Sequence, residues 1–372
     1  MKVSLLANPS YVDKDTGSGW PVPPRSWDPA LGAESMARAF EVYDAAHAMG
    51  FDWLAVTEHH YFPHLLGPNP MLTAAAIAAR YPDVRIAVLG AVLPQVNPIR
   101  VAEEYATLDA LSGGRLVAGM FRGLPNEYLA YGTNPREARA MFDEAFELIM
   151  RAWSEPEPFW WEGRYYRYPV VSVWPQPVQR PRPPIVASGS SPESAAFAGR
   201  NRLMLGLTFL FGVERCAQLV EVYRRAAREA GWEPTAEDVL YRARAWVAPT
   251  DEEAQRTARL HEIGDFQGPL APPPARAAAH ARIMAEIAGS PSPPAPPPKV
   301  PGKGSMPEYW GSPDTVAERI LAEAERIGYG VLDMSFDSFH APHDAAMASL
   351  ELFGREVLPR LQAAEVPLRE LA

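Results

Sequence analysis

The chain has one cysteine, Cys216, among 372 residues, which rules out an internal disulfide and any metal site built from several thiolates. Cys216 falls in a helical pattern, where a small core residue is the ordinary reading and a catalytic thiol the rarer one. Basic charge is scarce as well. The 35 Lys and Arg stand against 45 Asp and Glu, a formal net charge of −10, so the footprint that neutralises phosphate backbones is missing and nucleic acid is not an expected partner. Met1-Lys2-Val3-Ser4-Leu5-Leu6 runs straight into a polar loop, without an apolar stretch long enough for a signal peptide or a membrane span; a cytoplasmic protein without membrane contact is expected. No G-x-G-x-x-G follows the first apolar run, where Asn8-Pro9-Ser10-Tyr11 stands instead, and there is no Walker-type loop. Both absences weigh against a doubly wound nucleotide fold. The histidines outside the Glu58-His59-His60 motif show neither i,i+2 nor i,i+4 spacing, so no metal is expected.

Apolar runs of strand length alternate with helical periodicity along most of the chain, which is the mark of parallel βα units. The expected strands are Val3–Leu6, Trp53–Val56, Arg85–Gly90, Leu116–Met120, Ile185–Ser188, Leu203–Leu207, Leu240–Val247 and Val331–Phe336. Their number is that of a (β/α)8 TIM barrel, in the α/β class, forming a single domain over 1–372. Ser191-Pro192 and Ser312-Pro313 each set a capping hydroxyl before a proline at the first helical position. The 40 prolines gather in loops. Residues 160–184, rich in aromatics and proline, suit an excursion over the surface. A second Pro-rich insertion, about 261–310, follows strand seven around a short helix-competent piece, Arg276–Ala288. It reads either as a mobile lid over substrate or as an inert surface insertion.

Polar clusters end several of these strands, and in a barrel the active site lies at the strands' carboxyl ends. Glu58-His59-His60 follows the second strand. Two neighbours in extended backbone point to opposite sides, so at most one histidine faces the barrel axis. A neutral imidazole there can act as a base or a donor, with Glu58 to fix its tautomer. Arg122 stands just past the fourth strand, where a desolvated guanidinium needs an anion. Arg139 lies near the start of the next helical run. The two arginines form either a fork-shaped phosphate clamp or salt bridges to carboxylates such as Glu127 and Asp143. Gly189-Ser190-Ser191, after Ser188 at the end of the fifth strand, adds main-chain donors and hydroxyls at a helix start. Gly90, after Leu89 in the third strand, marks either close approach by a ligand or a bulge.

These segments together resemble the bacterial luciferase family of flavin-dependent monooxygenases, above all the luciferase catalytic subunit. The motifs that carry the likeness are Glu58-His59-His60, Leu65-Leu66-Gly67, Leu93-Pro94, Pro98 with Arg100, Leu108-Asp109, Arg122-Gly123-Leu124 with Asn126, Gly132-Thr133, Arg139-Ala140 and, later, Gly311-Ser312-Pro313 and the Leu352-Phe353 to Pro359 stretch. The likeness is densest from Phe51 to Trp153. It implies a TIM barrel that takes reduced FMN (FMNH2) from a separate NAD(P)H:flavin reductase, reacts it with O2 through a C4a-hydroperoxyflavin and oxygenates a small organic substrate. It further implies that His59 is the catalytic histidine and His60 its important neighbour, and that Arg122 and Arg139 hold the FMN phosphate. The Leu124 main chain would lie close to the flavin, Leu89-Gly90 would be a cis peptide beneath the ring, and the insertion would be a lid. The family usually pairs subunits through the helices here at 70–79 and 101–111, so a homodimer is expected.

Departures from the luciferase pattern are specific. Phe121 stands where luciferase has a reactive cysteine, Pro125 replaces an aromatic residue, Ser188-Gly189 replaces a Glu-Ser pair, and Pro192 replaces a phosphate-binding threonine, leaving Ser190 or Ser191 to serve the phosphate. These changes bear on light emission and on a fatty-aldehyde substrate, not on flavin binding. The leading expectation is a two-component FMNH2-dependent monooxygenase whose cavity draws on aromatics such as Tyr11, Trp20, Tyr61, Phe62 and Trp310. An F420-dependent hydride transferase and a non-catalytic flavin-binding subunit are the alternatives.

Overall fold

Four- to nine-residue apolar runs become the wall of a closed barrel in the computed structural model, which describes residues 1–12, 20–208, 212–260, 282, 285, 307–336 and 341–366. Strands β1 (Lys2–Leu6), β2 (Trp53–Val56), β3 (Arg85–Val92) and β4 (Leu116–Phe121) run side by side. A two-stranded antiparallel hairpin, β5 (Phe159–Glu162) and β6 (Arg167–Val171), then leaves the barrel. The wall resumes with β7 (Ile185–Ser188), β8 (Met204–Leu207) and β9 (Val239–Val247); β11 (Val331–Ser335) closes it by pairing with both β9 and β1. All eight expected strands are present in parallel pairing. A short strand, β10 (Glu308–Gly311), adds to the carboxyl-terminal half of β9.

Alternation along each strand sends every second side chain inward. One inner cluster accordingly draws on all eight wall strands: Leu6, Trp53, Ala55, Ala87, Leu89, Val117, Val186, Met204, Leu240 and Val331. The outward residues join a larger core beneath the helices. Between β1, β9 and β11 the interior also holds a charged group. Asp333, fully buried, accepts from Ser4 Oγ at 2.7 Å and from Arg242 Nη1 at 3.1 Å. Both partners are its register neighbours in the sheet. Burial pushes the Asp333 carboxyl up, and Arg242 followed by Ser4 draws it back.

The helices begin where short polar side chains can take up orphan N–H groups. Asp28, Asn69 and Asn97 cap α1 (Pro29–Met49), α2 (Pro70–Arg80) and α3 (Pro98–Leu111), each with proline in the first turn. The chain continues through α4 (Pro125–Tyr131), α5 (Ala138–Ser154), α6 (Pro192–Arg200), α7 (Val213–Glu229), α8 (Asp251–Leu260), α9 (Pro313–Ile327), α10 (His343–Glu356) and α11 (Leu358–Gln362). The expected caps Ser191 and Ser312 start α6 and α9 and accept from Ser194 N and Thr315 N. Cys216 is buried within α7. On α2, Ala74 and Ala78 pack into the core while Leu72 is 71% exposed.

Residues 160–184, expected as a plain excursion, contain most of the β5–β6 hairpin and are tied down by Asp109, which accepts from Val178 N, Gln179 N and Gln179 Nε2. The sequence signal for the hairpin was masked by Pro169 and by aromatics on both faces. The expected lid and its helix-competent piece lie almost wholly outside the described residues. Among the described residues no helix is long and apolar enough to cross a membrane, and no group of three His, Cys, Asp or Glu is placed to hold a metal.

Candidate active site

The loop after β2 folds back on itself so tightly that a Cβ on Gly67 would sit 2.5 Å from the Thr57 carbonyl oxygen. Glycine is therefore required there, and the return lets His59 N donate to Gly67 O at 3.0 Å. The tie fixes the backbone of Glu58-His59-His60. The two histidines then diverge, each to its own carboxylate. His60 is 3% exposed, and its Nε2 pairs with Glu58 Oε1 at 3.0 Å. The other Glu58 oxygen accepts from Val92 N at 3.1 Å, at the end of β3. Tyr131 OH reaches His60 Nδ1 at 3.4 Å, and Trp20 Nε1 donates to the His60 carbonyl at 2.8 Å. His60 is thus enclosed by Glu58 of its own loop and by Trp20 and Tyr131 from two other segments.

His59 pairs instead with a residue 68 positions away. Its Nδ1 lies 3.1 Å from Glu127 Oε1, and Glu127 Oε2 accepts from Leu124 N at 2.6 Å. Glu58 therefore orients His60, and the carboxylate for His59 is Glu127. In the sequence Glu127 stands out only as a possible arginine partner. Glu127 is missed from sequence because α4 starts immediately after β4, and only the fold carries its first turn across to the β2 loop.

Arg122 is exposed at the mouth, where water solvates it, so the expected desolvation penalty is absent. Gly123, at φ +98°, turns the chain out of β4 directly after it. Arg122 lies beside Tyr128: burial pushes that phenol up and the guanidinium opposes the shift. Arg139 forms an i,i+4 pair with Asp143 at 2.9 Å and lies 5.1 Å over the Phe197 ring of α6. That brings Arg139 against α6, the helix that Ser191 caps. Gly189 N is already used, donating to Gly206 O at 2.8 Å. Ser188 ends β7 half-buried.

The Leu89–Gly90 peptide is cis. A Cβ on Gly90 would meet Phe121 Cδ2 at 2.2 Å and Gly119 O at 2.6 Å, so glycine is demanded by the ring at the end of β4. The β3–β4 register also shifts between Val88 and Ala91. Of the aromatics expected at the cavity, Trp20 and Phe62 cluster with Leu65 against Leu124, and Tyr61 is tilted toward Trp20. Tyr11 stacks on Trp27, and Trp310 packs in a separate cluster with Trp246.

A strand-end His-His pair, a Gly-Leu turn after β4 and a serine-started helix after β7 set the site at one mouth of the barrel. The model of the luciferase-like monooxygenase family matches residues 16–329. The chain belongs to that family. Among curated relatives, the flavin-dependent trigonelline monooxygenase oxygenase component of Acinetobacter baylyi is 29% identical over 59% of this chain and 61% of its own length. The alkanal monooxygenase alpha chain of Photobacterium leiognathi is 27% identical over 53% and 56%. An uncharacterized protein of Sinorhizobium fredii is 33% identical over 45% and 49%. The chain thus spans about half the length of the curated relatives it matches. Among solved structures, monooxygenase RslO1 from Streptomyces bottropensis superposes with a TM-score of 0.75 at 24% identity, over 96% of this chain and 99% of that one. At these identities the solved structures support the family's barrel and no more.

Proposed function

We propose that this family member is the oxygenase component of a two-component system: it receives reduced FMN from a separate reductase and oxygenates a small, largely apolar organic substrate with O2. The observation that carries the reading is the His59–Glu127 pair. It sets one imidazole at the mouth, with a single ring nitrogen engaged among the described residues, beside the Gly123-Leu124 turn. The residues present fit FMN: Arg139 lies over Phe197 of α6, the helix that Ser191 caps and whose N-terminus favours an anion, and Arg122 is solvent-facing just past β4. Leu89-Gly90 and the Leu124 main chain are the segments assigned to the ring. When bound, reduced FMN supplies the electrons that activate dioxygen. The chain's own residues do the rest. His59 moves the proton at Nε2, and Trp20, Phe62, Leu65 and Leu124 form an apolar wall that keeps water out. Glu58 and His60 hold the loop that carries His59.

The test is anaerobic titration of the purified protein with FMNH2 and, separately, with F420H2. Saturable FMNH2 binding that is weakened at least tenfold by Arg139→Ala, with no F420H2 binding, is expected. Preferential F420H2 binding would replace the reading with hydride transfer; that cofactor serves a secondary alcohol dehydrogenase of the same fold, with a TM-score of 0.67 at 17% identity, 97% of this chain and 98% of that one being covered.

A further inference from the structure

We infer that Glu127 is a positioning residue that holds His59 in its Nδ1–H tautomer, leaving Nε2 as the proton-accepting nitrogen; the inference rests on the proton-transfer role proposed for His59. An ionised carboxylate only accepts hydrogen bonds, so Glu127 Oε1 at 3.1 Å requires the proton on Nδ1. The carboxylate cannot turn away, because Oε2 is held by Leu124 N at 2.6 Å. Water does not compete, since Glu127 is 2% exposed and the His59 side chain 14%. Capping of α4 uses one oxygen and leaves the other for the imidazole, so the contact goes beyond helix capping. It also joins the β4–α4 corner, where Leu124 lies, to the β2 loop. The segment assigned to the flavin and the proton-transfer group are therefore held by one side chain. When Nε2 takes up a proton, the buried carboxylate offsets the charge of the imidazolium formed.

Glu127→Gln tests this with the shape of the side chain preserved. Leu124 N–H needs an acceptor, which assigns the amide oxygen to it and turns the amide NH2 toward His59 Nδ1. A donor there forces Nδ1 to accept, and the ring proton moves to Nε2. In 15N-histidine-labelled protein, followed across pH to the neutral ring and with the His59 signals assigned by their loss in His59→Gln, the wild type is expected to show Nδ1–H and Glu127→Gln to show Nε2–H. With FMNH2 and substrate, kcat should fall by about 10²–10⁴-fold, the range of a misoriented general base, while KM and FMNH2 affinity stay within about threefold. An Nε2–H tautomer in the wild type overturns the inference even if the variant fails to fold. So does an unchanged tautomer in a folded Glu127→Gln. The expected tautomer switch in a protein that yields no product with any substrate supports the positioning role and overturns the monooxygenase reading instead.

Discussion

His59 and His60 are neighbours in sequence, and each lies about one hydrogen bond from a glutamate, at 3.1 and 3.0 Å. They differ in what happens at the second ring nitrogen. His60 has Tyr131 OH there and Trp20 on its carbonyl, and its glutamate is also bound to the end of β3. His59 makes its one ring contact to Glu127 and no other among the described residues. A carboxylate partner therefore does not mark a reactive histidine, because both have one. Under the proposed function, the distinguishing feature is a ring nitrogen left for proton transfer, and adjacent residues have unlike surroundings because their side chains leave the loop in different directions.

Replacing His59 and then Glu58 would break the comparison most directly. His59→Ala should lower product formed by about 10²–10⁴-fold, the usual worth of a positioned acid–base group, with FMNH2 affinity within a few-fold and oxygen consumption diverted to hydrogen peroxide. Coupled turnover at the wild-type rate would show that His59 has no part in proton transfer. Glu58→Ala should act on stability instead: it strands His60 Nε2 and Val92 N in the interior at a cost of about 2–4 kcal/mol, read from urea unfolding at constant slope. A loss below about 0.5 kcal/mol would place His60 on the same footing as His59.

The barrel was legible because its wall needs only apolar runs of strand length at regular spacing, and Leu6, Ala55, Leu89 and Val117 meet in the inner cluster whatever lies outside it. The positions of His59 and Arg139 at strand and helix ends followed from the same pattern. Partners were not legible. Glu127 reaches His59 only because α4 follows β4 at once, and Arg122 is exposed although it directly follows a buried strand. Gly90 showed a constraint in the sequence but not its source, which is the Phe121 ring from the neighbouring strand. Pro169 hid the β5–β6 hairpin, since proline within a strand ordinarily argues against one.

Glu308 sharpens the comparison from the other side, as a carboxylate without a histidine. It is half-buried on β10 opposite Arg244, and its Oε1 is buried with no hydrogen-bond partner among the described residues. Burial pushes its carboxyl up to about 7 from an ordinary 4.5, with Arg244 opposing. Between those two values the folded protein holds a proton that the unfolded chain has released. The unfolded state then binds fewer protons, and stability falls as pH rises through the window. Glu308→Gln removes the titration. Relative to the variant, the wild type should lose roughly 1 kcal/mol between pH 4.5 and 7, after allowance for solvent screening at a half-buried group, and nothing further above about pH 8. Unfolding midpoints measured for both proteins across pH would show the gap opening in that window. A gap independent of pH would mean that Glu308 is ionised throughout and has a charged or hydrogen-bonded partner, as Glu58 and Glu127 do.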